Sequence, residues 1–160
     1  MSIGLDPRIG NIHLDANALD RDGSTRDKLV NRLLELQEAE EIKITIPGSV
    51  RTETAHPHTP SRVNSVMSQQ IFTLPVNRTQ KEQAELDQIR LVLRGNALSG
   101  KHDADAEHLF EASKYGGRYF ITHDRRMLNN AAQVKKLLGS PIAIVTLEDF
   151  LAAYDSFTGT

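Results

Sequence analysis

Short apolar runs and longer amphipathic stretches alternate along this chain, and that alternation constrains the fold more than any other feature. Strand-like runs fall at residues 12–14, 42–46, 71–76, 118–122 and 141–146. They are short and rich in β-branched or aromatic residues, as a half-buried strand requires. Between them lie stretches with apolar residues three and four apart, the spacing of one helix face. Leu29, Val30, Leu33, Leu34 and Leu36 make one such stripe. Ala84, Leu86, Ile89, Leu91, Val92 and Leu93 make another. Strands separated by helices predict an α/β fold, with a parallel sheet and helices on both faces. No repeat, low-complexity tract or linker interrupts the pattern, so residues 1–160 are expected to form a single domain.

Local signals set the predicted boundaries. Ser24 and Asp27 resemble a capping box ahead of a helix over 25–41. Thr79 with Glu82 is the better form, because a glutamate at the third position reaches back to the cap. Pro47 and Gly48 stop the second strand, and Pro75 confines 71–76 to a sheet edge. Asp103 and Asp105 precede the apolar Leu109, Phe110 and Ala112, so a helix starts near them and ends at Gly116 and Gly117. A single helix is expected over 127–138, closed by Gly139, and a last one over 147–154. Residues 155–160 read as a loose tail.

The chain has no cysteine, so thiolate metal sites and disulfides are excluded and any ligand is a carboxylate or histidine. Its net charge of -2 gives no global attraction to nucleic acid, which leaves only a local basic rim for that purpose. No run is long enough to span a bilayer and no secretory signal is evident, so a cytoplasmic protein without a membrane partner is expected.

Four acids share one kind of location. Asp15 follows the first strand, and Glu53 lies one turn into the segment after the second. Asp105 opens a later helix, and Asp124 follows the strand after it. Each has an ordinary explanation taken singly: aspartate is a good N-cap, and acids in a first turn suit the helix dipole. Strand ends and the helix starts beyond them lie on one edge of a parallel sheet, where ligands bind. Four carboxylates there would repel one another unless a divalent cation offset them. Oxygen ligands alone suit Mg²⁺ or Mn²⁺, which activate water and stabilise phosphodiester oxygens during in-line displacement. No GxxxxGK[ST], GxGxxG or GxSxG motif offers other machinery. Asp15-Ala16-Asn17 lacks the second aspartate of a DxD nucleophile motif, against a haloacid-dehalogenase-like phosphohydrolase. Arg51, Arg125 and Arg126 are expected either near substrate phosphates or as ordinary surface charges that offset nearby acids, while for His56 and His58 a flexible proline-rich loop is a simpler reading than a metal site.

Four segments carry a family resemblance: IHLDANAL around Asp15, ITIPGSVRTETA around Glu53, DAEHLFEASKYGGRYFITHD from Asp105 to Asp124, and PIAIVTLEDFLAAY near the end. In these the chain resembles the PIN-domain nucleases and, in general layout, the ribonuclease toxins of bacterial toxin–antitoxin pairs. The resemblance implies a three-layer α/β/α sandwich and a metal-dependent endoribonuclease, with RNA as substrate. By position, Asp15, Glu53, Asp105 and Asp124 match the family's catalytic, metal-binding acids. Asn17 matches a frequent polar neighbour, and Thr122 a supporting hydroxyl. A cognate antitoxin and a homodimer are further implications. The rival expectation is a PIN-fold module that binds RNA or protein without turnover.

Overall fold

β1 (Asn11–Leu14) and β3 (Gly117–Ile121) form the centre of a four-stranded sheet, flanked by β2 (Ile44–Thr45) and β4 (Ala143–Val145). The order is β2-β1-β3-β4, and every pairing is parallel. The computed structural model describes residues 6–15, 18, 23, 25–45, 78–95, 102–114, 117–138 and 142–159. Six helices lie within them: α1 (Arg26–Glu38), α2 (Gln80–Arg94), α3 (Asp103–Lys114), α4 (Arg125–Asn129), α5 (Ala131–Leu138) and α6 (Leu147–Thr158). The α/β fold with a parallel sheet is therefore as expected, and it is compatible with a three-layer α/β/α sandwich. The predicted edge strand at 71–76 and the segment at 56–70 lie outside the described residues.

The two faces of the sheet are covered by different helices because strand side chains alternate. Ile12, Leu14, Tyr119 and Ile121 pack with Val30 and Leu33 of α1 and Phe150, Leu151 and Tyr154 of α6. Tyr119 and Phe150 meet edge to face, with ring centroids 5.2 Å apart. Phe120 points the other way, into a core with Leu86, Ile89 and Leu93 of α2 and Leu109 and Phe110 of α3. His13 is paired in register with Phe120 and Thr45, so it shares that second face.

Several boundaries follow from nameable contacts. The capping box of α2 is complete: Glu82 N–H donates to Thr79 Oγ1, and Thr79 N–H donates to Glu82 Oε1. The Ser24 cap lies outside the described residues; Asp27 instead accepts from Gly23 N–H at 3.3 Å. Gly117 belongs to β3 rather than to the turn before it. The single helix expected over 127–138 is two helices that meet at Asn130. Asn130 Nδ2 donates to Arg126 O, a local bond that competes with helix continuation. The tail expected to be loose is helical to Thr158. Asp155 forms a salt bridge with Arg32 of α1, and Gly159 ends the helix with φ +75.

Candidate functional site

The chain leaves β1 towards β2 on one side and returns to β3 on the other, so the order reverses between β1 and β3. A crevice opens at the carboxyl ends of two such strands, where their connections diverge to opposite sides. Asp15 directly follows β1 there, and its N–H donates to Ile121 O across the gap. It is 4% exposed, which is unusual for an aspartate.

Thr122 links two of the acids. Its hydroxyl donates to Asp15 Oδ2 at 2.9 Å and accepts from Asp124 N–H at 3.0 Å. It is fully buried, so both groups depend on it in place of water. Asp124 is the N-cap of α4: its Oδ1 accepts from Arg126 N–H at 2.8 Å and from Met127 N–H at 3.1 Å. The ordinary explanation of Asp124 as a cap is thus correct as far as it goes. Both cap bonds use Oδ1, and Oδ2 takes no part in them.

Asp105 sits in the first turn of α3. Burial, together with the charges of Asp124 and Asp15, pushes its carboxyl up to about 6. His108 one turn later and His102 before the helix act in the opposite direction, but less. Like charges disfavour ionisation of a neighbour, and the repulsion names Asp15 and Asp124 as the neighbours. The fold therefore brings three of the four predicted acids into one electrostatic field. Glu53, Asn17 and Arg51 lie outside the described residues.

These carboxylates are a hard-oxygen donor set of the kind Mg²⁺ and Mn²⁺ take. Among the described residues, no three acids or histidines stand close enough to form a complete metal-holding group. The donor chemistry fits such an ion: Asp15 and Asp124 are joined through the Thr122 hydroxyl, and their charges reach the Asp105 carboxyl.

The basic residues divide. Arg125 is exposed beside Asp124. Arg126 was expected at substrate phosphates, but its Nη1 donates to Leu93 O at 3.0 Å and Arg94 O at 3.1 Å. It caps the carboxyl end of α2, whose dipole favours a cation there.

His102 and His13 carried no expectation. His102 has φ +70 and places Nδ1 3.4 Å from Asp105 Oδ2. The contact spans only three residues, but it depends on the left-handed backbone at His102, which the sequence pattern does not mark. His13 is wholly buried, and burial alone lowers it to about 4, so it is a neutral core group. A separate concavity is lined by Arg8, Glu40, Glu41 and Lys43 among others, at the amino end of β2. Its mixed charges give no consistent field for a polyanion.

No family model, no curated protein and no solved structure matches this chain. No helix of the described residues is long and apolar enough to cross a membrane.

Proposed function

We propose that the protein is a divalent-metal-dependent endoribonuclease of the PIN type. The observation that carries this reading is that Asp15 and Asp124, joined through the Thr122 hydroxyl at the carboxyl ends of β1 and β3, combine with burial to push the Asp105 carboxyl up to about 6. Buried carboxylates that repel one another destabilise a fold unless a cation joins them. Asp15, Asp105 and Asp124 are the residues to hold Mg²⁺ or Mn²⁺, with Glu53 as the fourth acid. When bound, the ion supplies a nucleophilic water at neutral pH and offsets charge on the phosphodiester. Thr122 keeps the Asp15 carboxylate oriented through its hydroxyl. Arg125, exposed and next to Asp124 in the chain, is the described cation assigned to a backbone phosphate in this reading. A toxin with a cognate antitoxin, a homodimer and a cytoplasmic setting are the narrower form of the same reading.

The test is cleavage of a mixed RNA pool by purified protein in Mn²⁺, Mg²⁺ or EDTA, beside Asp15→Asn and Asp124→Asn. Asparagine caps a helix as well as aspartate does, so Asp124→Asn leaves α4 intact. Cleavage should need the metal and fall at least about 100-fold in either variant, the scale expected when a catalytic group is removed. Wild-type rates in both variants would defeat the assignment.

The rival reading is a PIN-fold module that holds RNA or a protein without turnover. Titration with Mn²⁺ separates the two, because such a module has no need to bind the ion at this edge.

A further inference from the structure

We propose that His102 is a positioning residue for the Asp105 carboxylate, holding Oδ2 and leaving Oδ1 to the ligand that the three acids share. The inference rests on the metal-site reading above.

His102 adopts φ +70, a left-handed conformation that side chains with a Cβ rarely take. Glycine is the residue that fills such positions without strain, and this chain uses glycine at φ +85 at Gly10 and Gly23. At 102 it uses histidine. Glu40 also stands in this region, at φ +61, so the backbone alone does not select the residue; unlike glycine, histidine brings a hydrogen-bond donor. The structure supplies one partner for it: Nδ1 lies 3.4 Å from Asp105 Oδ2. The two side chains are equally sheltered, each 19% exposed. On the far side of the ring, Nε2 is shielded from solvent and has no partner among the described residues. His102 O also accepts from Ala106 N–H, which ties the same residue to the first turn of α3.

The chemistry follows from the donor. An imidazole that carries a proton on Nδ1 donates a hydrogen bond to one carboxylate oxygen and so limits rotation of the group. Carboxylates that bind metals are commonly held in this way, and loss of the outer partner weakens metal binding by about 10–100-fold. Asp15 has its own outer partner in the Thr122 hydroxyl, and Asp124 has one in the α4 cap. His102 gives Asp105 the equivalent. All three acids then have one oxygen fixed by the protein.

The backbone makes the test sharp. Glycine at 102 relieves the left-handed strain, so His102→Gly should melt at or above the wild-type temperature in EDTA. Its dissociation constant for Mn²⁺, measured by calorimetry, should rise about 10–100-fold. Asparagine also tolerates this conformation, and its amide can donate from near the Nδ1 position. His102→Asn should therefore restore most of the affinity. Asp124→Asn serves as the control for the site. Glycine binding Mn²⁺ as wild type does, while Asp124→Asn binds weakly, overturns the role of His102 and leaves the site standing. Equal weakness in the glycine and asparagine variants, with lowered melting in both, assigns His102 a structural role and overturns the proposal. Wild-type protein that does not bind Mn²⁺ overturns the metal-site reading and this inference with it.

Discussion

At the scale of single residues, Thr122 and Asp105 show how much of this site depends on groups buried together. Thr122→Val keeps the shape of the side chain but leaves Asp15 Oδ2 and Asp124 N–H without their shared hydroxyl. The loss should be about 1–3 kcal/mol in denaturant unfolding, the cost of stranding buried polar groups. Thr122→Ser keeps the hydroxyl and should lose no more than about 1 kcal/mol, for one methyl group. Asp105 sets a pH dependence. Its folded carboxyl is raised from 3.8 to about 6, so the proton binds more tightly to the folded state. The stability this contributes is present below the unfolded value and is lost as pH rises through about 6. Asp105→Asn does not ionise and escapes that loss. In EDTA it should exceed wild type by about 1–3 kcal/mol near pH 7, and the gain should vanish near pH 4. A gain that persists unchanged at low pH would remove ionisation of the buried carboxyl as its cause.

At the scale of elements, the site is assembled by helix ends. α4 begins on the Asp124 carboxylate, α3 begins with Asp105 in its first turn, and α2 ends on the Arg126 guanidinium. Arg126 thus joins the start of α4 to the end of α2, with its backbone N–H on Asp124 and its side chain on Leu93 O and Arg94 O. Arg126→Gln should lower stability by about 1–2 kcal/mol, since hydrogen bonds from a charged donor exceed neutral ones. Its RNA binding, measured by filter retention under conditions where it stays folded, should match wild type. A selective loss of RNA affinity at full stability would return Arg126 to the phosphate rim. The complete capping box at Thr79 and Glu82 shows the opposite case, an element end set by neighbours three residues apart.

At the scale of the whole molecule, a thin sheet holds two separate cores and carries the acids at its switch point. Phe120 stands in the middle of the second core with no exposed surface. Phe120→Ala should cost about 3–5 kcal/mol, a large part of the stability of a domain this size. The melting temperature should fall even with Mn²⁺ present. The sequence alone determined the α/β class, because strand and helix periods alternate and the complete capping box is local. It also marked Asp15, Asp105 and Asp124 as acids at element ends, since strand ends and helix starts can be read from adjacent residues. The extension of α6 to Thr158 was not legible, because its salt bridge to Arg32 spans 123 residues of chain. The division at Asn130 turned on a side-chain bond that competes with a helical pattern on equal local terms. Only the tertiary structure decided that Asp105 shares a field with Asp15 and Asp124, and that Thr122 bonds to Asp15 across 107 residues. It also turned Arg126 from the expected rim to a helix end. Periodicity records which face of an element is buried; which groups meet there depends on how the strands are ordered in the sheet.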